Sequence, residues 1–206
     1  MEPVVSVTRF EDLDLSKLYT YADYLTWNFK ERVELIKGKI FKMSPAPPSI
    51  HQHISSQIHG NLFSFLRGKS CLVFSAPFDV RLSANNALSE EITTVVQPDL
   101  CVICDKTKID RRGCVGAPDL IIEILSPSND QIEVTKKYAL YETNRVKEYW
   151  IVYPYETIIQ VYTLNEAGQY VTSKPYAPGG TIKSTVLEGF ELEVATIFQG
   201  LDFNLM

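Results

Sequence analysis

The sequence predicts an α/β protein: a mixed sheet flanked by helices, with additional antiparallel strands in its N- and C-terminal parts. Three observations lead there. Segments with helical spacing alternate with groups of strands rather than with single strands, which excludes a regularly alternating doubly wound fold. The run Leu120-Ile121-Ile122-Glu123-Ile124-Leu125 is apolar at every position but one, the pattern of a strand covered on both faces. Strand pairs with turn residues between them stand near both ends of the chain. At 206 residues the chain can bury a sizeable core as one domain, with its centre over about 20–165 and a β extension over about 154–206.

Residues 18–32 are expected as a first helix, capped by Thr20, with Tyr21, Tyr24, Leu25 and Trp27 as its apolar contributors. Val33–Ile36 and Lys39–Met43 read as a hairpin turning at Gly38, ended by the stiff connector Ser44–Pro48. A second helix over about Ile50–Leu66 carries Ile50, Ile54, Ile58, Leu62, Phe65 and Leu66 at helical spacing. Strands are expected over Cys71–Leu82, Thr93–Cys104 and Pro118–Leu125, with a polar turn at Ser83–Glu91 and a charged loop at Lys106–Gly116. Ser128 and Gln131 have capping-box spacing and open a third helix, with Asn129 and Asp130 suiting its positive end; it closes near Asn144. Strands follow at Glu148–Tyr153 and Ile158–Leu164. The tail holds a hairpin around Glu166-Ala167-Gly168 and, after Pro178-Gly179-Gly180, a last strand or short helix near Leu192–Phe198.

No apolar run approaches the roughly 18–20 residues that span a bilayer, so no membrane association is expected. The N-terminus lacks a basic segment followed by a long apolar one, so the expected location is the cytoplasm. Cys101-Val102-Ile103-Cys104 has the spacing of a zinc or redox pair, but strand positions three apart point to opposite faces. Cys71, Cys101, Cys104 and Cys114 are therefore read as buried free thiols. A net charge of −5 excludes a generally basic, DNA-coating surface. Local positive clusters remain at Lys37, Lys39 and Lys42, at Arg111 and Arg112, at Lys136 and Lys137, and at Arg145 and Lys147.

A carboxylate inside a doubly covered strand is costly unless a charged partner meets it, and Glu123 is such a carboxylate. On the third helix Val134, Tyr138 and Tyr141 mark the buried face; Lys137 lies about 60° to one side of Val134, and Lys136 about 160° from it, toward solvent. Only Lys137 is aimed at the sheet. Strand alternation sets Asp119, Ile121 and Glu123 on one face, with Glu123 near the strand's carboxyl end, where ligands commonly bind. Asp99 follows Pro98, and a proline in a strand forces an edge or a bulge that can re-aim side chains. Two acids and a lysine from neighbouring elements are the parts of a divalent-metal site for phosphodiester hydrolysis; a buried structural ion pair is the alternative reading.

Other polar residues have structural readings. Asp79 is expected to pair with Arg81 on the same strand face. Asp119 is expected at a strand start, bonded to loop amides. His51, His53 and His59 point in different directions and make no shared metal site; His51 alone could reach the candidate site. Trp150, Tyr149 and Tyr153 are read as core packing rather than base stacking.

Gln97-Pro98-Asp99-Leu100, Ala117-Pro118-Asp119-Leu120-Ile121-Ile122-Glu123-Ile124-Leu125-Ser126-Pro127-Ser128, Lys137-Tyr138-Ala139-Leu140-Tyr141 and Lys147-Glu148-Tyr149-Trp150-Ile151-Val152 together resemble a large bacterial family of endonucleases. That family belongs to the restriction-endonuclease-like PD-(D/E)xK superfamily. The similarity spans roughly residues 20–165, including Glu34 and the Met43–Pro47 stretch. The resemblance implies a restriction-endonuclease-like fold and Mg²⁺, for which Mn²⁺ can substitute, held by Asp99, Glu123 and the Ile124 carbonyl. Leu125 stands where the superfamily lysine should be, and the resemblance implies that Lys137 on the following helix takes its place and that Glu34 is the additional acid. The implied function is a Mg²⁺-dependent endonuclease acting on DNA, with homodimerisation to cut both strands. The alternatives are a nuclease scaffold kept for binding DNA or a protein, and a hydrolase of smaller phosphoesters.

Overall fold

The computed structural model describes residues 6–43, 47–83, 87–126 and 131–201. The N-terminal half runs α1 (Tyr21–Tyr24), β1 (Val33–Ile36), β2 (Lys39–Lys42), α2 (Ser49–Leu66), β3 (Leu72–Ser75), β4 (Val80–Arg81), β5 (Val95–Val96) and β6 (Leu100–Ile103). Next come β7 (Ile109–Asp110), β8 (Gly113–Val115), β9 (Leu120–Ile124), α3 (Gln131–Thr143), β10 (Glu148–Tyr153) and β11 (Ile158–Leu164). The chain ends with β12 (Tyr170–Thr172), β13 (Thr181–Lys183), β14 (Glu191–Glu193) and α4 (Val194–Phe198).

The strands form two six-stranded mixed sheets and one small antiparallel pair. The central sheet has the order β12-β11-β10-β9-β6-β3 and the second β2-β1-β5-β4-β8-β7, while β13 pairs with β14. In the central sheet β9 and β10 run parallel, joined through α3, whereas β6 and β9 run antiparallel. The expected covering of β9 on both faces is present. Leu120, Ile122 and Ile124 pack beneath α2, α4 and the β13–β14 segment, and Ile121 packs on the other side with Leu140 and Tyr141 of α3. Alternation with period two therefore feeds two separate cores from one strand.

Two strands expected to be continuous are each divided between the sheets. The Cys71–Leu82 segment gives β3 in the central sheet and β4 in the second; Thr93–Cys104 gives β5 in the second and β6 in the central one. Pro77 and Pro98 stand in the two crossings, where a residue without an N–H interrupts a hydrogen-bonded ladder at no cost to it. The crossing at Pro98 delivers Asp99 to the end of β6.

The expected helix over residues 18–32 is reduced to the single turn α1. Its Thr20 capping box with Asp23 is present, but Val7 bridges Trp27 and the Asn28 amide donates to the Val7 carbonyl, which takes the chain out of helix. The expected loop at Lys106–Gly116 contains the β7–β8 hairpin. At the β1–β2 turn Lys37 and Gly38 both have positive φ, 52° and 76°, the demand of a two-residue hairpin turn that Gly38 meets without strain. Ser44–Ala46 of the connector and the Ser128–Gln131 cap with Asn129 and Asp130 lie outside the described residues and side chains. Among the described residues no helix is long and apolar enough to cross a membrane.

The cysteine reading is corrected in part. Cys71 and Cys104 stand opposite one another across the β3–β6 ladder and are joined as a disulfide, while Cys101 and Cys114 are buried free thiols. Divergence within Cys101-x-x-Cys104 is observed: Cys101 packs in the core beneath α3 and Cys104 on the opposite face.

Candidate functional site

Glu34, Glu123 and Lys137 are buried together although they come from β1, β9 and α3. Lys137 Nζ lies 3.0 Å from Glu123 Oε1 and 3.4 Å from Glu34 Oε1. On α3 it occupies the middle of the buried face, between half-buried Val134 and buried Leu140 and Tyr141, rather than its flank. The adjacent Lys136 is exposed, with its ammonium 5.1 Å from the centre of the Phe41 ring. One turn along, the Tyr141 hydroxyl donates to Glu123 Oε1 at 2.6 Å. Residues four apart on a helix share a face, which is the sequence signal that could have found Tyr141.

Asp99 reaches the same place from another direction. In the β6–β9 ladder Leu100 stands opposite Ile122, so the register carried one residue on sets Asp99 opposite Glu123. The Ile124 amide donates to Asp99 Oδ2 at 2.7 Å, and His51 Nε2 lies 3.1 Å from that same oxygen. The neighbouring Gln97 amide donates to Glu34 Oε1 at 2.8 Å, tying the Pro98 crossing to β1. The Arg32 guanidinium holds the Gln97 side-chain oxygen from the other side, through bonds of 2.7 and 3.1 Å.

The three carboxylates share one arrangement. Each receives its protein donors on a single oxygen: Glu34 on Oε1, Glu123 on Oε1 and Asp99 on Oδ2. Among the described residues no donor engages the second oxygen of any of them. An ionised carboxylate has about four lone-pair sites, so each group keeps accepting capacity in hand.

Charge in this cluster is set by burial. Desolvation pushes the Glu123 carboxyl up; the Lys137 ammonium opposes that, Asp99 and Glu34 add to it, and the result is about 7. For Lys137 burial works against the ammonium, but Glu123 and Glu34 outweigh it and hold its pKa well above the ordinary lysine range. Burial likewise pushes the Tyr141 phenol up, so it remains a donor. Lys137 therefore stays cationic while Glu123 titrates near neutrality. The folded Glu123 carboxyl keeps its proton to about pH 7 where the ordinary group loses it near 4.5. Between those values the folded state binds more protons, so this group's contribution to stability is full at low pH and fades as pH rises through about 7. Metal-free protein is expected to weaken in urea unfolding as pH rises across that window, and Glu123→Gln to flatten the dependence.

Donor chemistry fits a hard cation, because the available atoms are carboxylate and carbonyl oxygens. Among the described residues no three His, Cys, Asp or Glu side chains form a ready-made cage. Glu34 and Glu123 both face the Lys137 ammonium. The oxygens that could contribute to holding such a cation are those of Asp99, Glu123 and the neighbouring backbone.

The other expectations divide. Asp79 does not pair with Arg81; it accepts from the Gln97 side chain at 2.9 Å and from Tyr21 and Tyr24, while Arg81 reaches across to Asp110 at 2.7 Å. The β4–β8 pairing presents the β7–β8 hairpin to Arg81, an alignment that spacing could not reveal. Asp119 accepts from the Cys104 amide and pairs with Lys147 at 2.6 Å, the expected structural use. The three histidines do not converge: His51 meets Asp99, His53 bonds the Gln199 carbonyl and His59 lies against Phe63. Trp150 and Tyr149 are buried on opposite faces of the central sheet, as core packing requires.

The chain is 25% identical over 184 residues to the uncharacterized protein slr1290 of Synechocystis sp. (strain ATCC 27184 / PCC 6803 / Kazusa), covering 88% of this chain and 92% of that one. Its fold is similar to a crystal structure from Anabaena variabilis ATCC 29413 described as a putative nuclease belonging to DUF820. The TM-score is 0.68 and the identity 22%, over 87% of this chain and 97% of the other. The mixed sheets and flanking helices thus form the restriction-endonuclease-like fold expected from the motifs. The family model Uma2, described as "Putative restriction endonuclease", matches residues 21–195, and the chain belongs to that family.

Proposed function

We propose that this protein is a Mg²⁺-dependent endonuclease that hydrolyses phosphodiester bonds of DNA, and that Asp99, Glu123, Lys137 and Glu34 form its active site. The observation that carries this reading is the shared arrangement of the acids: among the described residues each meets its protein partners through one oxygen, leaving the other as an acceptor near a buried ammonium. A cluster built only for stability would be expected to satisfy both oxygens with protein donors. Membership of a family described as restriction endonucleases supports the same reading.

Asp99 and Glu123, with the Ile124 carbonyl, would hold the cation. When bound, it supplies a water of lowered pKa and neutralises charge on the phosphate. Lys137, kept cationic by Glu34 and Glu123, orients the attacking water and balances the charge that develops on the phosphoryl oxygens. Glu34 and Tyr141 fix the lysine and Glu123 in place, so little reorganisation accompanies the reaction.

Supercoiled plasmid is the first substrate to try, alongside single-stranded DNA, RNA and nucleotides. Nicking is expected with Mg²⁺ or Mn²⁺ and its loss with a chelator. Hydrolysis confined to nucleotides would overturn the assignment to DNA, and no hydrolysis of any of them would overturn the enzymatic reading.

A further inference from the structure

His51 stands in the first turn of α2 and is buried, yet its ring is half satisfied. Nε2 lies 3.1 Å from Asp99 Oδ2, while Nδ1 is the one buried side-chain nitrogen or oxygen among the described residues with no hydrogen-bond partner. Leaving a buried polar atom unpaired costs on the order of 1–3 kcal/mol. A ring placed for its own stability would be expected to pair both nitrogens. This one is placed for Asp99.

The contact falls on an oxygen already taken. Asp99 Oδ2 accepts from the Ile124 amide on β9 and lies 3.1 Å from His51 Nε2 on α2, so two separate elements meet it there. One donor lets a carboxylate swing about its Cα–Cβ and Cβ–Cγ bonds; two donors from separate elements fix the plane of the group. No donor among the described residues engages Oδ1. We infer that His51 is a positioning residue of the cation site: its Nε2–H, with the Ile124 amide, holds Asp99 by Oδ2 and so presents Oδ1 to a divalent cation. A ligating carboxylate is commonly oriented by such an outer hydrogen bond, and losing one typically weakens metal affinity 10–100-fold.

The inference rests on the proposed cation site, and its test separates the two. A glutamine amide can carry a donor out to the place of Nε2, whereas the shorter asparagine places its amide near Nδ1. Wild type, His51→Gln and His51→Asn are titrated with Mn²⁺ alone, following free Mn²⁺ by electron paramagnetic resonance, and their thermal unfolding is measured without metal. The expected result is a Kd for His51→Gln within about threefold of wild type and one at least about tenfold weaker for His51→Asn, with both variants melting together. Three equal Kd values would overturn the positioning role while leaving the cation site intact. Gln and Asn variants weakened alike, in step with a loss of melting temperature, would mean that His51 merely fills space. Wild type that binds no Mn²⁺ would overturn both the site and this role.

Discussion

Lys137→Ala is expected to reduce Mg²⁺-dependent plasmid nicking about 10²–10³-fold, the usual effect of removing one electrostatic contact to a developing oxyanion. It should also destabilise the fold by about 3–5 kcal/mol above neutral pH, because two buried carboxylates would lose the ammonium that both face. The stability loss should shrink on acidification. Glu123 already holds its proton to about pH 7, and without Lys137 the strongest influence opposing that proton is gone, so at lower pH no uncompensated charge is left on Glu123. Lys137→Met separates packing from charge: it refills the volume along the α3 face but should remain as inactive as the alanine variant. Lys136→Ala is the control. Its ammonium is exposed over Phe41, so neither nicking nor unfolding should move appreciably. Equal nicking by wild type and Lys137→Ala, with folding verified by urea unfolding, would remove the lysine from the mechanism.

The convergence of Asp99, Glu123 and Lys137 was legible because each residue broke a local pattern, whereas Glu34 came only from the family resemblance. Glu123 interrupts an apolar strand, Asp99 follows a proline, and of two adjacent lysines only one can face the sheet. Patterns of period 2 and 3.6 report which face a side chain occupies, and that was enough to orient α3 against β9. They say nothing about register between distant strands. The pairing of Cys71 with Cys104 depends on the β3–β6 ladder, and that of Arg81 with Asp110 on β4 lying beside β8. The second sheet was hidden for a related reason: β4, β5 and β7 are two residues each, too short to carry a period. The first helix failed differently. Its aromatic residues pack against one another, Tyr21 with Tyr24 and Tyr24 with Trp27, so their clustering reflected a local tertiary group rather than a helical face. His51 was visible beside the apolar stripe of α2, but its approach to Asp99 depends on how the Pro98 crossing meets that helix.

Glu148→Ala is expected to cost about 3–5 kcal/mol of stability, comparable to breaking a buried ion pair, without touching the candidate site directly. Glu148 is fully buried at the start of β10. Its Oε1 accepts from the Trp150 indole at 2.6 Å; its Oε2 accepts from the Thr185 amide at 2.7 Å and the Thr185 hydroxyl at 2.6 Å, and from the Ser184 hydroxyl and Val186 amide at 3.2 Å each. Unlike the three acids beside Lys137, this carboxylate has both oxygens occupied by protein donors, the arrangement of a group whose task is structural. It fastens the segment between β13 and β14 to the central sheet, and that segment carries Leu187 and Phe190 into the core around Trp150. Truncation to alanine would orphan the indole N–H and two backbone amides and open a void against them. Glu148→Gln keeps one acceptor oxygen but brings an NH₂ among donors, so about half the penalty should remain. Urea unfolding measures the global cost, and limited proteolysis shows whether residues 178–201 detach before the rest. A loss below about 1 kcal/mol for Glu148→Ala would mean that water satisfies those donors as well as the carboxylate does. The hold on the segment between β13 and β14 would then come from apolar packing around Trp150.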